Sequence, residues 1–316
     1  MKKILVTGGA GFIGSNLIET LLRREFNVVC LDNLATGSLS NIEDFTSHEN
    51  FEFVEGDILD FDLLMKHTKD AFAISHQAAL GSVPRSIKDP LTSNRVNIEG
   101  TLNVFKAAVE NKVERVVYAA SSSTYGDSVT LPKVENNIGK PLSPYAVTKM
   151  VNEVYADVFQ RVYGLNTIGL RYFNVFGPKQ DPNGPYAAVI PLFVKAILAD
   201  RSPIINGNGE HSRDFTYVQN AVHANALALE ASLENYNTVY NVACGQQTSL
   251  LSLVNYINEI VGAKITPIHR EERVGDIPHS LADISKAIKN LNYEPQYNVK
   301  EGLELVIEWY KKAQVI

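Results

Sequence analysis

Through its first half the chain alternates short apolar bursts with longer amphipathic stretches. Ile4-Leu5-Val6, Val28-Val29-Cys30-Leu31, Phe51-Glu52-Phe53-Val54, Ala71-Phe72-Ala73-Ile74, Val116-Val117-Tyr118-Ala119 and Thr167-Ile168-Gly169-Leu170 have the length and composition of strands. Between them, segments such as Asn16 to Leu22 and Asn97 to Val109 space their apolar residues along one helical face. Strands apolar on both faces, each followed by a helix, predict an α/β fold with a doubly wound parallel sheet.

After Asn174 the texture changes, and the Pro/Gly/Asn-rich stretch from Gly177 to Pro185 suits neither helix nor strand. It predicts the start of a second, smaller region over the carboxyl ends of the strands, where open α/β sheets bind ligands. Thr216-Tyr217-Val218 and Val239-Tyr240-Asn241-Val242 are strand-like and could return to the first sheet. The expected division is therefore residues 1–175, receiving segments near 214–243, and residues 176–316.

At 316 residues and 45% apolar content the chain can bury a substantial core. A net charge of −6 argues against nucleic acid as the main partner, since that binding needs clustered Lys and Arg. Cys30 and Cys244 lack metal-ligand spacing, so no metal and no disulfide framework are expected. Met1-Lys2-Lys3 leads straight into a strand without a signal-peptide core, and no apolar run reaches about 18 residues. The expectation is a cytoplasmic protein with no membrane partner.

The first strand runs into Thr7-Gly8-Gly9-Ala10-Gly11-Phe12-Ile13-Gly14, which opens a helix. Glycines at Gly8, Gly11 and Gly14 permit a tight turn, let backbone N–H groups approach a pyrophosphate, and let helix and strand pack closely. Asp32 closes the second strand, where a carboxylate accepts hydrogen bonds from adenosine ribose and repels a 2′-phosphate. Together these predict a Rossmann-type NAD site, with Phe12, Ile13, Asn33 and Ile58 on its wall. Asp57, after the third strand, could meet the adenine amino group or cap the helix that begins near Leu59.

Tyr145 and Lys149 stand four residues apart, on one face if the segment is helical. A phenol titrates near 10, and bringing it to about 7 takes roughly 4 kcal/mol, which a close ammonium and a positive nicotinamide in a dry pocket could supply. The pair follows the fifth strand, whose end carries Ser121-Ser122-Ser123.

The glycine turn, the Ser121 cluster, Tyr145 and Lys149, in this order and spacing, resemble the extended short-chain dehydrogenase/reductase family. Leu170-Arg171-Tyr172-Phe173-Asn174 and Arg213-Asp214-Phe215-Thr216-Tyr217-Val218 resemble its sugar-nucleotide epimerase branch, and the bacterial UDP-N-acetylglucosamine 4-epimerase group most of all. The resemblance spans essentially the whole chain.

It implies that Tyr145 is the base, that Lys149 tunes it and binds nicotinamide ribose, and that Ser121 hydrogen-bonds the reacting oxygen. Gln77, Ala78 and Ala79 would line the cofactor channel, and Phe173 would pack near the nicotinamide. A UDP-sugar would be held by Asn174, Ala188, Val189, Asn206, Arg213 and Arg273, the arginines as bidentate phosphate forks. Ser82 and Arg85 would face the sugar, with helix capping as the other explanation of Ser82. Ser122 and Ser123 would join them unless they only satisfy backbone groups.

Dehydratase relatives need an Asp-Glu pair where this chain has Ser122 and Ser123, which favours oxidation and re-reduction over elimination. Ser280 would wall the sugar pocket, its small side chain admitting a 2-acetamido group, unless it caps a helix near Ala282. The implied activity is C4 epimerisation of UDP-N-acetylglucosamine and UDP-N-acetylgalactosamine by a homodimer. Alternatives are an epimerase of UDP-N-acetylglucosaminuronate or UDP-glucuronate, and a non-catalytic NAD-binding protein. His76, His211 and His279 are expected to be structural.

Overall fold

A computed structural model describes residues 1–183, 187–272 and 278–313. Strands β1 (Lys3–Thr7), β2 (Asn27–Asp32), β3 (Phe51–Glu55), β4 (Ala73–His76), β5 (Arg115–Ser121) and β6 (Thr167–Tyr172) are joined by the Thr238–Val242 strand. They make one seven-stranded sheet in the order Thr238–Val242, β6, β5, β4, β1, β2, β3, and every pairing is parallel. Ile4, Leu5, Val6, Val116 and Val117 are fully buried, as a sheet covered on both faces requires.

The order reverses between β1 and β4, and the crevice beyond the carboxyl ends of such a switch is where doubly wound sheets bind ligands. Helix α1 (Phe12–Arg23) leaves β1 directly, buries Leu17, Ile18, Leu21 and Leu22, and packs on the Val218–Glu230 helix. The Pro144–Tyr163 helix has the punctuation its sequence implies. Ser143 caps it by accepting the Ala146 N–H at 3.1 Å, Pro144 opens it, and Gly164 ends it in the left-handed region.

Two expectations move. The fourth strand starts at Ala73, because Ala71 is still bonded back to Thr68 in the preceding turn. Val239 to Val242 joins the main sheet, but Thr216–Tyr217 pairs with Val175–Phe176 in a separate two-stranded ribbon and Val218 begins a helix. The helices Leu250–Val261 and Val299–Lys312 bury Leu253, Ile257, Leu303 and Val306 in one cluster with Ile4, Val6 and Ile168. The carboxyl-terminal region thus shares its core with one face of the sheet.

Candidate active site

The glycine turn is the tightest part of the site. Gly8 has φ +68°, and a Cβ there would stand 2.6 Å from the Ala78 backbone nitrogen; at Gly14 it would meet the Gly8 carbonyl at 2.2 Å. Only glycine fits at either place. Gly11 occupies the cap position of α1 without a side chain over it, which leaves the helix N-terminus open to an anion.

Asp32 is buried, and its carboxylate accepts the N–H groups of Ala10 at 3.0 Å and Leu34 at 2.8 Å. Burial raises its pKa, opposed by those backbone bonds. A carboxylate has about four lone-pair directions, so the residue can fix the turn and still accept from a ribose. Asp57 takes the Asn33 amide at 2.8 Å and the Leu59 N–H at 2.9 Å, whereas Asp60 caps the Phe61–Thr68 helix. The capping role is therefore Asp60's.

These residues line a cavity of about 1000 Å³ with Phe12, Ile13, Ile58, Gln77, Ala78 and Ala79, and it continues past Tyr145 and Lys149 to Ser82, Arg85 and Ala188. A groove over a glycine turn that a Cβ would fill suits NAD: Gly8, Gly11 and Gly14 would hold the pyrophosphate, Asp32 the adenosine ribose, and Lys149 the other ribose.

At the far end, Lys149 donates to the Ala119 carbonyl of β5 at 2.7 Å, and its Nζ lies 6.0 Å from the centre of the Tyr145 ring. Burial lowers Lys149 to about 8, with Glu153 pulling the other way. Burial also raises Tyr145, and a hydrogen bond with Ser121 pulls it back down. The ammonium is aimed by the strand carbonyl, and the direct partner of the phenol is Ser121. Ser121 in turn accepts from the Ser123 N–H at 3.2 Å and hydroxyl at 2.9 Å, so Ser123 serves the turn. Ser122 opens the same 3-10 turn.

The sugar side is less contiguous. Ser82 caps the Val83–Lys88 helix through the Arg85 N–H at 3.2 Å and also lines the cavity. Asn174 donates to the Asp214 carbonyl at 3.1 Å and reaches the Ser280 hydroxyl at 3.5 Å. Arg213 donates to the Pro278 carbonyl at 3.0 Å. Asn174, Arg213 and Ser280 thus meet, through loops far apart in sequence. Ala188 precedes the Val189–Leu198 helix, whose Val189 packs on the core, and Asn206 ends a short strand paired with Ile268–Arg270. Arg273 lies outside the described residues.

The structure narrows two further readings. Phe173 is fully buried against Tyr125, Ala243 and Ala282, because alternation along β6 turns its neighbour Tyr172 to the cavity instead. Ser280 caps nothing, since the next helix starts at Ser285 behind Ile284. His76 is clamped between the Thr7 and Thr101 hydroxyls at 2.7 and 2.9 Å and held neutral by burial. His211 pairs with Glu272. His279 pairs with the Ser212 hydroxyl.

Sequence reasoning passed over Ser86, which is buried and accepts the Tyr145 N–H at 3.0 Å, docking the Val83–Lys88 helix to the tyrosine. It also passed over the closed ring in which Tyr172 donates to Gln77, Gln77 to Asn225, and Asn225 to Tyr172. Tyr172 was readable from strand alternation; Ser86 and Asn225 carried no signal.

A dinucleotide-binding parallel sheet with a Tyr-x-x-x-Lys helix beside a serine at the end of its fifth strand defines an NAD-linked enzyme of the short-chain dehydrogenase type. Residues 4–243 match the NAD dependent epimerase/dehydratase family, and the chain belongs to it.

UDP-N-acetylglucosamine 4-epimerase from Methanobrevibacter ruminantium M1, in complex with UDP-N-acetylmuramic acid, has a TM-score of 0.94 at 41% identity, covering 99% of both chains. UDP-glucuronic acid 4-epimerase from Bacillus cereus, in complex with UDP-glucuronic acid and NAD, gives 0.92 at 32% identity, covering 98% of this chain and 99% of that one. By sequence, a putative UDP-glucose 4-epimerase from Methanocaldococcus jannaschii is 38% identical over 310 residues, 98% of each chain.

Among the described residues, no helix is long and apolar enough to cross a membrane, and no His/Cys/Asp/Glu group could hold a metal ion.

Proposed function

We propose that the chain inverts carbon 4 of UDP-N-acetylglucosamine and UDP-N-acetylgalactosamine, turning over the smaller UDP-glucose and UDP-galactose in the same pocket. The observation that carries this reading is the placement of Tyr145 against Ser121, beside Lys149, at the end of the cavity that begins on the glycine turn. NAD, when bound there, supplies the acceptor that takes the C4 hydride and gives it back, and a positive ring that favours phenolate.

Tyr145 removes the C4 hydroxyl proton as the carbonyl forms, with Ser121 holding that oxygen. The keto sugar turns within the pocket and Tyr145 returns the proton after the opposite face has been reduced. Ser82, Arg85 and Ala188 border the sugar end, and Asn174 and Arg213 serve the nucleotide. Gly81 leaves room there, since a Cβ on it would meet nothing within 4 Å.

A homodimer belongs to the same reading, supported by the exposed Ile87, Leu91, Val147 and Val154 on helices that pack side by side. Light scattering on the purified protein tests it.

A second reading, a uronate substrate, draws support from Arg85 in the cavity wall and from the Bacillus cereus relative. Incubation with UDP-N-acetylglucosamine, UDP-glucose and UDP-glucuronic acid separately, with NMR of the products, decides between them. Fast formation of UDP-N-acetylgalactosamine is expected. Turnover of the uronate alone overturns the hexosamine reading.

A further inference from the structure

Asp214 is completely buried, although it follows the half-buried Arg213 in the chain. A buried carboxylate is costly unless its lone pairs are matched by donors. Its Oδ1 accepts the Cys244 N–H at 2.9 Å, its Oδ2 accepts those of Gly245 at 3.0 Å and Ala282 at 3.2 Å, and the Gln246 N–H adds a fourth. Residues 244–246 follow the last strand of the main sheet, and Ala282 follows Ser280.

The backbone of the same residue completes the junction. Its N–H lies 3.5 Å from the Ser280 hydroxyl and its carbonyl accepts from Asn174 at 3.1 Å. In the short Ser212–Arg213 strand and beyond, successive side chains alternate sides, so an inward Asp214 leaves Arg213 facing outward.

We infer that Asp214 is a positioning residue for the sugar-nucleotide half of the site: its carboxylate clamps the end of the sheet to the Ser280 loop and so sets where Asn174, Arg213 and Ser280 stand. The inference rests on the sugar-nucleotide reading above. The geometry asks for a group that only accepts. An amide of the same shape turns an N–H₂ toward at least one N–H donor, setting donor against donor where the carboxylate bound both segments. The damage is local to the loop, because the glycine turn and Lys149 are held by other contacts.

The test compares Asp214→Asn with the parent, both NAD-loaded, using calorimetric titration with UDP and steady-state kinetics on UDP-N-acetylglucosamine. The expected result is a rise of about tenfold or more in KM and in the UDP dissociation constant, corresponding to about 1.4 kcal/mol. The kcat should stay within about threefold and bound NAD should be retained. A merely structural role would lower kcat and NAD content together and leave KM flat, and that result overturns the inference. Equal UDP binding by parent and variant overturns it alone, whereas a parent that binds no UDP takes down the sugar-nucleotide reading with it.

If Asp214→Asn does not fold, amide hydrogen exchange on the parent decides. The Gly245 and Ala282 amides should exchange slowly, and more slowly still with UDP. Exchange at the rate of exposed loop amides overturns the clamp.

Discussion

The two halves of the cavity are built in opposite ways. The cofactor half comes from one continuous unit, strand–turn–helix–strand, in which a Cβ on Gly8 or Gly14 would strike backbone and Asp32 accepts the Ala10 and Leu34 N–H groups at 3.0 and 2.8 Å. The residues expected on the sugar side come from separate places: Ser82, Arg85 and Ala188 line the cavity, while the loops of Asn174, Arg213 and Ser280 are tied to one another by single hydrogen bonds. A continuous unit resists change and tolerates none at its centre. A tied set of loops can alter its fit without losing the fold.

Substitutions at the join between the halves should have the largest effects. Tyr145→Phe deletes the proton acceptor and little else, so turnover should fall about 10²- to 10⁴-fold with NAD still bound. Comparable kcat in the variant removes Tyr145 from the chemistry.

Lys149→Met separates activity from stability. Burial holds the ammonium at about 8 against an ordinary value near 10.4, so the folded chain binds this proton less readily than the unfolded chain. The group costs stability below pH 8, and the cost is relieved as pH rises from 8 toward 10. The variant should lose turnover about 10²-fold yet gain roughly 1–3 kcal/mol of stability at pH 7, a gain that shrinks in melts run between pH 8 and 10. A variant that is less stable at neutral pH contradicts this account of Lys149.

Within the sugar half, Ser280→Tyr should exclude the 2-acetamido group and cost conversion of UDP-N-acetylglucosamine about 10- to 200-fold in kcat/KM, while sparing UDP-glucose. Equal loss on both sugars means Ser280 is not the wall. The smallest change belongs to the cofactor half: Asp32→Ala should weaken NAD about tenfold and narrow its preference over NADP, read by fluorescence titration. An unchanged preference would leave Asp32 only its bonds to Ala10 and Leu34.

The same contrast explains what the sequence disclosed. Gly8, Gly14 and Asp32 were legible because backbone approach demands glycine and a ribose demands a carboxylate at fixed spacing. Tyr145 and Lys149 were legible because helical periodicity puts them on one face. Ser86, Asn225 and Asp214 act through partners 59, 53 and 30 residues distant along the chain, and no local pattern announces such a bond. Phe173 lies in a buried cluster with Tyr125, Ala243 and Ala282, while its neighbour Tyr172 lines the cavity. That Thr216–Tyr217 forms a ribbon with Val175–Phe176 and does not return to the main sheet was not legible, because a two-residue ribbon and a sheet edge share one hydrophobic pattern.

The central claim, that C4 is inverted by removal and internal return of one hydride, is tested most directly by isotope tracing. UDP-N-acetylglucosamine deuterated at C4 is converted in ordinary water and the product examined by NMR and mass spectrometry. The account predicts UDP-N-acetylgalactosamine that keeps the deuterium at C4, with none appearing in solvent. Loss of the label to water, or product inverted at another carbon, would contradict it.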